Sequence, residues 1–485
     1  MELTEAVERL RATLVLSSGD LVHRGLDLSH AFARQLYFAG AADDGLYGMW
    51  ASARGKAAAR LSLSSSAVAL LARSWFGPVP ARAVTPASLR LRSLIAPLRL
   101  LAGRGGVRPQ EAPKGPPILL FAHSLRFARF LAPVAQRLGA RCAYLVAAGD
   151  AATRQWVAEQ GHAARLYHPA PAGLRRSGAV LARHAPGLAL LAEEIEAALT
   201  NSGARVVLVP EGNAPVDDIV ARVGRHHGIA VACLQQGWSP LIHTGFRNMG
   251  FAQMLAWGQG FTEALSSFNP GVEFVPVGNM QLPDADSVPG QRSRGAAFFC
   301  QGSGSWTTDA HEAVLVDLAC RVAKALPDLP VFIRPHPVAP FDRHIREKIA
   351  AVPNVHLSDP AHQPLAELLS QVSVGVSIYS STILECLAAG ILPVIFSITS
   401  MPRYVPDIAA EGAALDEPDP DTAFRRLVEM LSSPELPRTF AAGMERARAR
   451  YSAAHGAAAQ ARIEGALERL LAVPKGGLTD DFPAN

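Results

Sequence analysis

The sequence contains few cysteines and no long apolar run, and each shortage excludes a class of protein. Its 485 residues include five cysteines, none in a C-x-x-C pair, which argues against a disulfide scaffold or a zinc site and favours a reducing compartment. No window of 18 residues is both uncharged and predominantly apolar, so no membrane-spanning helix is predicted. The first residues lack the basic-then-apolar order of a secretory signal. We therefore expect a cytoplasmic protein.

Charged and aromatic residues are also scarce, whereas aliphatic residues are abundant. Charged residues make up 18% of the chain, aromatic residues 7% and hydrophobic residues 49%. This balance excludes a disordered chain and allows a large buried core. A length of 485 residues exceeds one ordinary domain of about 150 residues, so two or three domains are expected.

Acidic residues are missing from one long segment. The net charge is only +4, but residues 51–110 contain ten Arg or Lys and no Asp or Glu. Leu and Arg alternate within it, which predicts that residues 82–108 attach to an anionic membrane surface. The alternative is a solvated helix that packs its Leu stripe on the protein. Nucleic acid is not an expected partner, because residues 77–109 have no aromatic side chain to stack on bases.

The hydrophobic pattern divides the chain into three regions. Residues 1–112 are predicted to be helical and basic, with one helix over Leu26–Leu36. Residues 113–284 and 285–485 each alternate short apolar runs with amphipathic segments, which is typical of a parallel sheet covered by helices on both faces. The predicted fold class is therefore α/β, with two tandem Rossmann-like, doubly wound domains. A long last helix over Arg438–Leu471 is assigned to the second domain. The predicted strands are Ile118–Ala122, Cys142–Val146, Val206–Pro210, Ala230–Leu234, Met254–Trp257, Ala296–Cys300, Val331–Ile333, Val355–Leu357, Val372–Ile378 and Leu392–Phe396.

Polar side chains follow several of these strands, where ligands of such sheets bind. In the second domain, Arg334 and His336 lie at the end of a strand, and Pro335 and Pro337 prevent the strand from continuing. An arginine and a histidine there suit an oxyanion such as phosphate. The alternative is a loop pair without function.

Three hydroxyl residues follow another strand of the second domain and open a helix. Ser380, Ser381 and Thr382 either cap this helix or form an anion site with its free amides. Glu385, one turn further, either holds ribose hydroxyls or satisfies the first turn. Gly302 and Ser303 follow a third strand, where glycine allows a ligand to approach the backbone closely.

The first domain supplies candidates for acid–base chemistry. Glu211 ends a strand and either accepts a proton from an attacking hydroxyl or serves as a structural residue before the next helix. His123, after another strand, is the other candidate base, although a lone strand-end histidine is often structural. Arg126 and Gln236 are expected to line the same side of the cleft as contacts to an acceptor.

Together these segments resemble a known family. R-P-H-P at 334–337, followed about 40 residues later by a strand, S-S-T at 380–382 and a helical Glu385, resembles the C-terminal half of GT-B glycosyltransferases. The similarity is to the groups that build bacterial surface polymers: polysialyltransferases, Kdo transferases of capsule assembly and CDP-glycerol polymerases. It implies that Arg334, His336 and the hydroxyl residues hold the phosphate of a nucleotide donor. Those families often have His-Gly where this chain has Gln236 and Gly237.

The resemblance implies a glycosyltransferase that uses a CMP-, UDP- or CDP-linked sugar donor and a glycan or glycoconjugate acceptor. Inversion is expected, with Glu211 as base and His336 stabilising the departing phosphate. No cofactor and no obligatory metal are predicted, because the D-x-D of residues 419–421 is interrupted by proline and is interpreted as a helix cap. The alternatives are a UDP-sugar 2-epimerase of the same shape and a catalytically silent nucleotide-sugar-binding module.

Overall fold

The computed structural model describes residues 22–28, 30–31, 34, 115–168, 181–238, 242, 244–282, 294–302, 307–336, 339–399, 406–433 and 436–474. Most of residues 1–112, including the basic stretch 82–108, lies outside the described residues, and so does Ser303.

The described part of the N-terminal region begins with a hairpin. Strands β1 (Val22–His23) and β2 (Leu26–Asp27) pair antiparallel. Arg24 and Gly25 between them both have positive φ, 49° and 81°, as a tight hairpin turn requires. The helix predicted from Leu26 is therefore wrong at its start, because this turn keeps Leu26 and Asp27 extended; residues 30, 31 and 34 are helical.

The first sheet has seven parallel strands in the order β5-β4-β3-β6-β7-β8-β9. Helices lie in the connections and cover both faces, which explains why the central strands are buried along their whole length. The elements are β3 (Ile118–Ala122), α1 (Leu125–Leu138), β4 (Cys142–Ala147), α2 (Ala151–Glu159), β5 (Ala164–Tyr167), α3 (Leu181–Ser202), β6 (Val206–Pro210), α4 (Pro215–His226), β7 (Ala230–Leu234), β8 (Gln253–Ala256), α5 (Gln259–Leu265) and β9 (Glu273–Pro276).

The second sheet has six parallel strands in the order β12-β11-β10-β13-β14-β15. The elements are β10 (Ala296–Phe299), α6 (Asp309–Ala325), β11 (Val331–Arg334), α7 (Arg343–Ala350), β12 (Val355–Leu357), α8 (Leu365–Ser370), β13 (Val374–Ser377), α9 (Thr382–Ala388), β14 (Leu392–Ile395), β15 (Leu415–Asp416) and α10 (Pro420–Ser432). Asp419 caps α10 by accepting a 2.8 Å hydrogen bond from the Thr422 amide, as the sequence predicts.

The predicted fold class is confirmed: two parallel α/β sheets follow one another, and buried apolar side chains cover both faces of each. The ten predicted strands are present, with ends that differ by two residues at most. Strands β5, β9 and β15 were not predicted. Strands β5 and β9 lie at the two edges of the first sheet and carry exposed or half-buried side chains, so they lack the continuous apolar run of a central strand.

The C-terminal end of the chain departs from its predicted form. The single helix expected over Arg438–Leu471 is two helices, α11 (Leu436–Tyr451) and α12 (Gly456–Ala472). Helix α12 was assigned to the second domain, but Ile463 and Leu467 pack in the core of the first sheet. Arg141, three residues after the end of α1, also pairs with Glu464 of α12. The chain therefore crosses back to the first lobe after α11.

Among the helices that the structure describes, none has the length and apolar character needed to cross a bilayer.

The return crossing predicts a sensitive glycine. Gly278 has φ +95°, and a Cβ atom there would overlap the backbone of Ala454. We expect Gly278→Ala to lower the free energy of unfolding by about 1–3 kcal/mol, since it adds both backbone strain and a backbone clash. Chemical denaturation measures this. Gly149→Ala is the control, because nothing lies within 4 Å of its added Cβ; equal losses in both variants would contradict the close packing of this crossing.

Candidate functional site

Three central strands bring the predicted donor-side residues to one edge of the second sheet. Strand β10 lies between β11 and β13, and Phe299 at its end pairs in register with Arg334 and with Ser377. The loops after these strands, which carry Gly302, His336 and Ser381, therefore leave the sheet side by side. This edge is where doubly wound sheets bind ligands.

Hydrogen bonds and close packing join these loops. The Gln301 side-chain oxygen accepts a 3.3 Å hydrogen bond from the Tyr379 amide, and the Gln301 amide donates to Glu312 at 3.0 Å. Gly302 has φ +73°, and a Cβ there would lie 2.5 Å from the Ala339 side chain. The sequence reasoning missed Gln301 and Glu312. Glu312 is 6% exposed on a helix, and a glutamate at a core-facing position was the signal available.

Arg334 is fixed by its own domain. Its Nη1 donates to the Ser358 hydroxyl at 2.9 Å and to the Gln363 carbonyl at 2.8 Å. Burial lowers the pKa of Arg334, while the nearby carboxylates of Glu385 and Asp359 act in the opposite direction. Part of its charge is thus balanced within the protein, which distinguishes it from a free phosphate-binding cation.

Glu385 lies beside that arginine. Burial raises the pKa of Glu385 to about 7, although Arg334 and a hydrogen bond with the Thr382 side chain oppose the shift. Near neutral pH the carboxyl group is therefore present in both protonation states. It can donate or accept a hydrogen bond, as contact with a sugar hydroxyl requires.

The three hydroxyl residues have different roles. The Ser380 hydroxyl accepts a 3.2 Å hydrogen bond from the Thr382 amide and lies 3.0 Å from the Thr382 hydroxyl. It therefore caps the turn that begins α9. Ser381 occupies the N-cap position, but its side chain makes no capping hydrogen bond. Its half-buried hydroxyl is the one of the three that the helix start does not use.

His336 of the second lobe is influenced by a charge on the first lobe. Its side chain is exposed and its carbonyl accepts the Ala339 amide at 2.9 Å. Partial burial lowers the pKa of His336, and the charge of Arg126 lowers it further. Arg126 belongs to α1 of the first lobe, so its charge reaches the edge of the second lobe that carries His336.

The first-lobe candidates follow three adjacent strands, β3, β6 and β7. Arg126 donates a 2.6 Å hydrogen bond to the side-chain oxygen of Gln236, which joins the loops after β3 and β7. His123 is half-buried, and its ring centroid is 4.4 Å from that of Phe127.

Glu211 has an unusual backbone conformation. It has φ +66°, in the left-handed region that non-glycine residues rarely adopt, and Gly212 follows at +75°. Its amide donates to Leu234 at 2.9 Å, which ties the turn to β7. Burial raises the pKa of Glu211, opposed by the charge of Arg126 and a hydrogen bond with the Asn213 side chain. A carboxylate of raised pKa at a strand end is suited to accept a proton.

No protein-family model and no curated protein matches this sequence. Solved structures of similar shape exist. A UDP-GlcNAc 2-epimerase from Neisseria meningitidis bound to UDP-GlcNAc is 15% identical, with a TM-score of 0.51 over 72% of this chain and 99% of that chain. A putative UDP-N-acetylglucosamine 2-epimerase from Listeria monocytogenes is 11% identical, with a TM-score of 0.50 over 74% and 98%. The glycotransferase of kitacinnamycin is 15% identical, with a TM-score of 0.49 over 73% and 99%.

The chain has a GT-B-like fold. The similarity covers nearly the whole length of the matched structures, but identities of 11–15% establish the architecture alone. They do not distinguish the surface-polymer groups that the sequence resembles from other enzymes of this shape.

The position of Arg126 predicts a change on both sides of the cleft. Removing its charge in Arg126→Gln should raise the pKa of Glu211, because a cation no longer favours the carboxylate. It should also raise the pKa of His336, because a cation no longer opposes the imidazolium. NMR titration of labelled Glu and His measures both, with signals assigned from Glu211→Gln and His336→Gln.

Arg129→Gln, one turn further along α1 and also exposed, is the matched control. If Arg126→Gln moved the Glu211 signal but not that of His336, the action of Arg126 on both lobes would be contradicted.

Proposed function

We propose that this protein is a glycosyltransferase that moves a sugar from a nucleotide-activated donor to a hydroxyl group of a glycan or glycoconjugate. The observation that carries the proposal is the position of Arg126, whose charge acts on Glu211 of the first lobe and on His336 of the second. The action of one arginine on a candidate base and on a candidate phosphate-binding residue supports a cleft that they share. Transfer between two substrates bound on opposite lobes needs this arrangement.

In the proposed reaction, the acceptor is activated by the first lobe and the departing phosphate is stabilised by both lobes. The acceptor oxygen forms a bond to the anomeric carbon while Glu211 takes the hydroxyl proton. The bond from that carbon to the phosphate oxygen breaks, and the nucleotide leaves with the electron pair. His336, Arg126 and the Ser381 hydroxyl stabilise the charge that develops on the phosphate. A single displacement of this kind inverts the anomeric centre.

The proposal includes no metal ion, since side chains of the cleft supply the positive charge and the hydrogen-bond donors. Arg126 supports this part because its side chain hydrogen-bonds to a neutral amide and its charge acts near both Glu211 and His336, so a phosphate bound beside them would be attracted to it. Arg334 contributes less, because Glu385 lies beside it.

The cellular setting we propose rests on the sequence resemblance. The motifs at 334–337 and 380–382 are similar to those of enzymes that build bacterial surface polysaccharides. Work on such polymers at the inner face of the membrane would suit a cytoplasmic protein that attaches peripherally through residues 82–108.

The direct test uses nucleotides and activated sugars. A thermal-shift panel of CMP, CDP, UDP, GDP and ADP should identify one nucleotide that stabilises the fold by about 2.7 kcal/mol at 100 times its dissociation constant. The matching nucleotide-sugar should then release that nucleotide in the presence of a glycan acceptor. Glu211→Gln should lower transfer by about 10²–10⁴-fold while leaving the thermal shift intact, because the base does not hold the nucleotide.

Glu159→Gln, on the surface helix α2, is the control and should transfer normally. Full transfer by Glu211→Gln would remove this residue as the base. Epimerisation of UDP-N-acetylglucosamine without any acceptor would favour the 2-epimerase, whereas nucleotide binding without any reaction would favour the silent binding module.

The two serines predict opposite results. Ser381→Ala should weaken nucleotide affinity by about 10- to 150-fold with little change in stability, because its hydroxyl is free of the helix start and would bind a charged phosphate. Ser380→Ala should instead lower stability by about 0.5–2 kcal/mol, the usual cost of a lost cap. Calorimetric titration and thermal unfolding measure the two effects. Unchanged affinity in Ser381→Ala would contradict the phosphate contact.

A further inference from the structure

We propose that Arg34, from the N-terminal region, is a positioning residue that holds the Glu211 turn in its active geometry. The inference rests on the proposed function, in which Glu211 is the base. It gives residues 22–34 a role in the reaction that the sequence pattern did not indicate.

The N-terminal segment is anchored on the first lobe. His23 and Arg24 of the hairpin lie 2.9 Å and 3.1 Å from the Glu193 carboxylate of α3. Leu26 and Leu28 are at most 5% exposed and belong to the core on this face of the first sheet. The segment is therefore part of the lobe.

Arg34 reaches the turn that carries Glu211. Its side chain is 1% exposed. Its Nη1 donates to the Gly212 carbonyl at 3.0 Å and to the Ala214 carbonyl at 3.4 Å. These carbonyls belong to the residues that follow Glu211, so a segment nearly 180 residues away in sequence fixes the path of the turn.

Two buried acids complete the support. Asp217 accepts the Ala214 amide at 2.9 Å, so the turn is held through its carbonyls by Arg34 and through an amide by Asp217. Asp218 is fully buried, 2.6 Å from Arg222 and 3.9 Å from Nη2 of Arg34. This acid attracts both guanidinium groups and so offsets part of the cost of burying Arg34.

The buried polar cluster of Arg34, Asp217 and Asp218 is not what stability alone would favour. Nε of Arg34 and Oδ1 of Asp217 are buried and make no hydrogen bond with the residues that the structure describes. Well-packed apolar residues often stabilise a core as much as a buried ion pair does. What an apolar side chain could not do is donate to two backbone carbonyls of a strained turn.

That turn needs external support. Glu211 at φ +66° is in a conformation that costs about 1–3 kcal/mol and persists only where its surroundings impose it. Gly212 beneath it has no room for a side chain, because Cys233 and Phe251 fill that space. Arg34 supports the turn by donating hydrogen bonds to its carbonyl groups at Gly212 and Ala214.

The test compares Arg34→Met with Arg34→Lys, and uses Arg24→Ala as the control because Arg24 anchors the same segment without contacting the turn. In Arg34→Met, amides of residues 211–214 should exchange hydrogen faster, while kcat for transfer falls by about 10- to 100-fold and KM for the donor is unchanged. Arg34→Lys should be intermediate, since a single ammonium cannot bond both carbonyls as the guanidinium does. If Arg34→Met does not fold, Arg34→Lys is used for the same measurements.

A double-mutant cycle separates positioning from a general structural role. If Arg34 acts through Glu211, adding Arg34→Met to Glu211→Gln should cause no further loss of kcat. Losses that multiply, or unchanged exchange at residues 211–214, would overturn the proposal. Hydrogen exchange needs no substrate, so a wild-type protein without transfer activity would refute the proposed function and leave the result for Arg34 to stand.

Discussion

Parallel pairing of the central strands is the constraint on which the site depends. Because Phe299 pairs in register with Arg334 and Ser377, the loops that follow these three strands all begin at the same edge of the sheet. The first sheet imposes the same condition on the loops after β3, β6 and β7. Residues scattered over more than 200 positions thereby form two facing edges, and the chemistry of the cleft follows from which side chains the edges carry.

Charge is distributed unequally between these edges. On the second lobe, Glu385 and Asp359 offset part of the charge of Arg334, and His336 has a lowered pKa, so this edge alone offers an anion modest attraction. Arg126 on the first lobe lies beside a neutral amide. Under the proposed function, a phosphate group on the donor side would therefore also be attracted by Arg126 of the first lobe.

Local pattern predicted much of this molecule and failed where distant segments meet. Buried central strands such as Val206–Pro210 are continuous apolar runs and can be recognised from sequence, and their ends locate Glu211 and Arg334. Edge strand β5 is half-exposed and carries no such signal. The break before α12 and its return to the first lobe depend on packing against α1, which no local propensity encodes. Arg34 could not be recognised because its partners at Gly212 and Asp218 exist only after folding.

The return of α12 makes the connection between the lobes double. The Asn279 amide donates to the Ala454 carbonyl at 2.9 Å, where the outgoing and returning chains run beside each other. Two adjoining backbone segments resist twisting and sliding more than one does, so this crossing restricts how the two lobes can move relative to each other.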